Sequence, residues 1–140
     1  YNEPKEDTTK PYEGMPALLE SLRTAGVKLG VVSNKEDHLT RQVIERYFPG
    51  VFHEVRGHVL GTPTKPDPHL VNEMRKAFSL MPEQVLYVGD SNVDMFTANN
   101  AGLDGCGVLW GFRTAAELQQ AGAKYLVHTP VELEKLIFEK

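Results

Sequence analysis

Four apolar residues, Val85-Leu86-Tyr87-Val88, run straight into Gly89-Asp90, and a second aspartate, Asp94, follows four positions later. A short apolar run bounded by a turn signal reads as a buried strand. Gly89 allows a sharp turn at its end. From Asn92 the spacing of Val93, Phe96, Ala98 and Ala101 predicts a helix. Asp90 then stands at the carboxyl end of a strand and Asp94 in the first turn of the next helix. In open α/β sheets that edge is where ligands bind. Two carboxylates converging there suit a hard cation such as Mg²⁺, which takes a few carboxylate oxygens and fills the rest of its shell with water or substrate oxygens. The plainer alternative is that Asp90 caps the helix and Asp94 is a solvated first-turn acid.

The rest of the chain repeats this unit. Residues 1–14 are polar and carry Pro4, Pro11, Gly14 and the charged run Lys5-Glu6-Asp7, so they read as a linker, with a domain over 15–140. Pro16 opens a helix whose stripe is Leu18, Leu19 and Leu22, closed at Ala25-Gly26. A strand is expected over 27–32, leading into Ser33-Asn34. A helix follows from Asp37 to Tyr47, with Leu39, Val43, Ile44 and Tyr47 on its apolar face. A short strand over 53–57 precedes a loop over 58–67 that holds Lys65. Pro68 starts a helix with Leu70, Val71, Met74 and Ala77 inward. After the strand at 85–89 and the helix at 92–101 come a strand at 104–109, a helix from Thr114 to Gln120 and a strand at 125–127. A closing helix spans 130–138. Thr114 with Glu117 three residues later has the pattern of a capping box. Alternating strands and helices imply an α/β fold: a mostly parallel sheet covered by helices on both faces.

Composition narrows the function classes. The chain has 140 residues, enough for one domain with a core. Its net charge of −4 and lack of a basic run argue against a nucleic-acid or anionic-membrane partner. No apolar run approaches spanning length. The single cysteine, Cys106, cannot form an internal disulfide, which points to a reducing, cytoplasmic setting, and its glycine-flanked apolar context suits a small buried residue. The five histidines are scattered without metal-ligand spacing and read as surface or structural residues.

Three places carry chemistry. Ser33-Asn34 follow one strand; Asp90 and Asp94 follow another; Lys65 sits in the long loop, stiffened by nearby prolines. In a parallel sheet Ser33 and Asp90 share one edge. A hydroxyl, backbone N–H groups, a cation and metal-binding carboxylates suit a phosphate dianion. Each element also has a plain alternative: Ser33-Asn34 as a helix cap, Lys65 as a solvated charge. Trp110 and Phe112 either line the same cleft or pack.

The order Ser33-Asn34, then Lys65-Pro66-Asp67-Pro68, then Val88-Gly89-Asp90-Ser91 with Asp94, resembles motifs two, three and four of the haloacid dehalogenase superfamily of phosphatases. The flanks Pro11-Tyr12-Glu13-Gly14-Met15 and Gly107-Val108-Leu109-Trp110-Gly111 resemble its phosphoglycolate phosphatase branch. The resemblance runs from about residue 11 to the end. It implies a Rossmann-like core and Mg²⁺-dependent hydrolysis of a small phosphorylated metabolite through an aspartyl-phosphate. Ser33 and Asn34 would bind phosphoryl oxygens, and Lys65 would steady the phosphate and the nucleophile. Asp90 would be a metal ligand. Asp94 would support the metal, directly or by orienting Lys65 or a water.

The first family motif, Asp-x-Asp after an apolar strand, has no counterpart here. The early acids Glu3, Glu6, Asp7 and Glu13 follow no such strand. In the family that strand lies mid-sheet, between those matching 85–88 and 27–32, and a helical cap is inserted after it. The expectation is therefore a partial core whose nucleophile, central strand and cap come from an upstream segment or chain; by itself this chain would turn over little substrate. The competing reading is a non-catalytic phosphate-binding or interaction module. A receiver-like switch fits less well, because its lysine would follow the aspartates.

Overall fold

The computed structural model describes residues 13–111 and 113–139. Residues 1–12, most of the linker reading, and Phe112 lie outside them. The elements in order are α1 (Met15–Thr24), β1 (Gly30–Glu36), α2 (Asp37–Tyr47), β2 (Glu54–His58) and α3 (His69–Ala77). There follow a 3₁₀ turn (Pro82–Gln84), β3 (Leu86–Gly89), α4 (Asn92–Asn100), β4 (Asp104–Val108), α5 (Ala115–Gln120), β5 (Tyr125–Val127) and α6 (Pro130–Glu139).

Every strand pairing is parallel, as the strand–helix alternation requires. Side chains alternate across the strands and sort the helices onto two faces. Val31, Cys106 and Val108 pack with Leu18, Leu19 and Leu22 of α1, Ile44 of α2 and Leu133 of α6. Val32 and Tyr87 point the other way, against Leu70, Val71 and Met74 of α3 and Ala98 of α4. Cys106 is fully buried, and burial pushes its thiol up to about 12.

The strands do not form one sheet. β1 pairs with β2, and β3, β4 and β5 pair in that order, but among the described residues nothing pairs β1 with β3. Between them runs a groove of about 720 Å³, with Leu29, Gly30 and Val32 on one wall and Leu86, Val88 and Asp90 on the other. Its walls are mostly apolar side chains and strand edges. Unpaired edges of this kind are templates for a further strand.

Four expectations need correction, the first being Ala77, expected inward on α3 and exposed there. β1 begins at Gly30 rather than at 27, and it runs on through Ser33-Asn34 to Glu36. In α2 the buried positions are Thr40 and Ile44, while Leu39 is 41% exposed. Thr40 turns inward because its hydroxyl donates to the Lys35 and Glu36 carbonyls at 3.1 and 3.0 Å, which satisfies a buried polar group. In α4 the inward face is Asp94, Met95, Thr97 and Ala98; Val93 and Phe96 are exposed. The cause is Asp94, whose burial sets the rotation of that helix.

Candidate active site

The pairing of β1 with β2 breaks at the chemistry-bearing residues. Val32 faces Arg56 and Glu36 faces His58, so β1 spends four steps where β2 spends two. The extra residues form a bulge over Ser33, Asn34 and Lys35, and bulges re-aim side chains at functional edges. Ser33 is buried, and its Oγ accepts a hydrogen bond from the Lys35 N–H at 3.1 Å. It does not cap α2, whose N-cap is Glu36 without a side-chain bond. The carboxamide of Asn34 reaches across to the Lys65 loop. Its Oδ1 accepts from the Lys65 N–H at 2.6 Å, and its Nδ2 donates to the Lys65 carbonyl at 3.2 Å.

Lys65 and Asp94 form a buried ion pair. Nζ donates to Asp94 Oδ1 at 2.8 Å, with the two side chains 11% and 7% exposed. Nζ also lies 3.5 Å from the Val32 carbonyl on the wall of the groove. The other oxygen of Asp94 accepts from the Asp90 N–H at 3.2 Å and from Ser91 Oγ at 3.0 Å. Burial pushes the Asp94 carboxyl upward, but the Lys65 ammonium and these donors outweigh it and hold it below the usual range. A carboxylate so fully occupied is the anchor of the lysine, not a solvated first-turn acid.

Asp90 has the opposite environment. It is 6% exposed, and among the described residues no side chain donates to its carboxylate. Burial, and then the neighbouring charge of Asp94, raise its pKa. It does not cap α4 either; Ser91 does, accepting from the Asp94 N–H at 3.2 Å. A buried carboxylate with no side-chain donor among the described residues, repelled by its neighbour, is stabilised by a cation placed against it.

Two glycines clear space for these acids. A Cβ on Gly89 would stand 2.3 Å from the Asp94 Cβ, and one on Gly111 would stand 2.3 Å from Asp90 Oδ2. Gly111 follows Trp110, which lines the groove and packs on the core below it. Sequence reasoning treated Gly111 as part of a flanking pattern and missed its contact. It also passed over Ser91 and Asn100, whose Nδ2 donates to the Pro66 carbonyl at 2.9 Å. Only an N-cap pattern before α4 could have flagged Ser91.

The site thus gathers Lys65, Asp90 and Asp94 beyond the end of β3 and beside the β1 bulge that carries Ser33, with Asp90 lining the groove. Asn34 joins it through the Lys65 backbone. No group of three or more acids, histidines and cysteines with metal-binding geometry forms among the described residues. Asp90 is the side chain placed to hold a cation, with further oxygens drawn from water, a bound anion or sequence outside the described residues. Among those residues no helix is long and apolar enough to cross a membrane.

Comparison with known proteins gives the family and the fold. A family model described as haloacid dehalogenase-like hydrolase matches residues 1–108. A phosphoglycolate phosphatase of Aquifex aeolicus is 32% identical over 92% of this chain and 60% of its own length. One from Caulobacter vibrioides is 31% identical over 92% of this chain and 54% of its own. A solved structure from Lactobacillus delbrueckii subsp. bulgaricus superposes with a TM-score of 0.89 at 38% identity, covering 93% of this chain and 54% of that one. The chain therefore spans between about half and two thirds of the length of the proteins it resembles.

Proposed function

The chain belongs to the haloacid dehalogenase-like hydrolases, and from that premise we propose that it is the larger part of the core of a Mg²⁺-dependent phosphate monoester hydrolase. The observation that carries this reading is the groove between β1 and β3, lined in part by Asp90, with the Lys65–Asp94 pair reaching the Val32 carbonyl on its wall. A strand laid in it would pair with both free edges. An aspartate at that strand's carboxyl end would face the lysine and Asp90. We assign this strand to sequence outside the described residues, together with the cap that selects the substrate.

In this reading each residue has a bounded task. Lys65, its ammonium held on Asp94, neutralises charge on the phosphoryl group and on the attacking carboxylate. Ser33 lends its hydroxyl to a phosphoryl oxygen. Asn34 contributes through the backbone position of Lys65. Asp90, with Asp94 behind it, would hold Mg²⁺, which when bound supplies positive charge against the phosphate oxygens. The strand's aspartate attacks phosphorus and the ester oxygen departs as the alcohol. Water then cleaves the aspartyl-phosphate and releases inorganic phosphate. The names of the Aquifex and Caulobacter relatives make phosphoglycolate the first ester to try.

The test is phosphate release by the intact protein with Mg²⁺ and a panel of small phosphate monoesters. Metal-dependent turnover is expected, and Asp90→Asn and Lys65→Ala should each reduce it about 100-fold or more, the loss typical when a charge-stabilising group is removed. Turnover indifferent to Asp90→Asn would refute the assignment. Saturable phosphate binding without turnover would instead favour a non-catalytic phosphate-binding module.

A further inference from the structure

We propose that Asn34 and Asn100 are positioning residues for Lys65, the first bonded to its backbone and the second to that of Pro66 beside it, so that the ammonium stays on Asp94. The proposal rests on the reading of Lys65 as the phosphate-steadying cation, but its test measures the position of the lysine and not catalysis.

Ten residues, 59–68, join β2 to α3 without helix or strand. Local turns shape them: the Thr62 N–H donates to the Val59 carbonyl and the Asp67 N–H to the Thr64 carbonyl, each at 3.0 Å. Such bonds close turns within the loop and leave its placement against the sheet undetermined. A lysine ammonium sits at the end of a long, freely rotating stem, so its location is only as definite as its backbone.

The His58 ring bonds the Thr62 carbonyl at 2.9 Å near the loop's start, and two further side chains hold the stretch around Lys65 itself. Asn34 pairs with both backbone groups of Lys65, the N–H at 2.6 Å and the carbonyl at 3.2 Å. A side-chain amide here does what a neighbouring strand would do. Asn100 donates to the next carbonyl, that of Pro66, at 2.9 Å. Their origins matter. Asn34 stands beside Ser33 in the β1 bulge, and Asn100 ends α4, the helix that carries Asp94. The clamp thus ties the loop to the two segments that bear the other site residues. The Asn34 amide is committed on both its donor and its acceptor side, so its part in the site is to place the lysine.

The experiment is competitive acetylation of the intact protein with an N-hydroxysuccinimide ester, read lysine by lysine by peptide mass spectrometry. In the wild type, Lys65 should react far more slowly than the exposed Lys28 and Lys76. Asn34→Ala and Asn100→Ala should each speed acetylation of Lys65 about tenfold while Lys28 and Lys76 keep their rates, the consequence of losing backbone bonds of ordinary strength. Asp94→Asn sets the upper limit by releasing the ammonium itself. A Lys65 rate within about twofold of wild type in both asparagine variants would overturn the proposal. So would a parallel rise at all three lysines, which would mean general loosening. A wild-type protein that hydrolyses no phosphate monoester, yet whose protected Lys65 is released in the asparagine variants, would count against the phosphatase reading and leave the clamp intact.

Discussion

The Lys65–Asp94 pair should behave as a coupled unit, and a double-mutant cycle measures by how much. The perturbations are Lys65→Met, Asp94→Asn and the two together. At an effective dielectric of ~20, unit charges about 4 Å apart attract by ~4 kcal/mol, from which desolvation must be subtracted. The side chains are 11% and 7% exposed, so desolvation is substantial but not complete. Lys65→Met leaves Asp94 charged and buried, still holding the Asp90 N–H and Ser91 Oγ. Removing one partner of a buried pair typically costs ~3–5 kcal/mol. Asp94→Asn keeps an oxygen for one donor and leaves the ammonium near the Val32 carbonyl, so a smaller cost of about 2–3 kcal/mol is expected. The double variant has no unpaired charge. It should be less damaged than the sum of the singles by about 2 kcal/mol. Urea unfolding at pH 7, followed by circular dichroism, gives each value from the midpoint and slope. Additivity within ~0.5 kcal/mol would show that the two side chains are not coupled, and the account of Asp94 as the lysine's anchor would fail.

The pH dependence of the pair has a definite sign. The folded-state pKa of Asp94 lies below its ordinary value of 3.8, so its stabilisation is complete above that value and is lost as pH falls through the lower folded one. Asp90 is the reverse. Its folded pKa is raised, so the cost of its charge builds as pH rises from the ordinary value of 3.8 and is complete above the raised one. Asp90→Asn should therefore raise the thermal midpoint at pH 7, by an increment that vanishes below the ordinary carboxylate range. The same variant should abolish any Mg²⁺-induced rise in melting temperature. Gly111→Ala puts a methyl where the Asp90 side chain lies, and titration calorimetry should find Mg²⁺ affinity about tenfold weaker, with a loss of about 1–3 kcal/mol in unfolding stability from the overpacking. Ser91→Ala removes the cap of α4 and one donor to Asp94, and should cost about 1–2 kcal/mol in urea unfolding.

Element type was legible because the signals were local. α2 and β5 occupy the spans expected, and the Thr114–Glu117 capping box forms, with Glu117 Oε1 accepting from the Thr114 N–H at 3.2 Å. The faces of α2 and α4 were harder, because hydrophobic spacing assumes that polar residues point outward. Thr40 and Asp94 are buried with hydrogen-bond partners, and each turns its helix away from the face that the apolar residues alone would choose. The bulge in β1 left no mark in composition, since a register shift is a relation between two strands.

By itself the sequence determined the alternation of strands and helices and the residues at the strand ends where chemistry gathers, because periodicity, turn residues and caps act over a few positions. Only the tertiary structure decided what those residues do to one another. It separated two carboxylates four positions apart into one neutralised by Lys65 and one that no described side chain donates to, because burial and charge pairing depend on distance in space. It gave the Asn34 amide to the Lys65 backbone across thirty-one residues of chain. And it left β1 and β3 with a strand-shaped groove between them, a space that no single segment records.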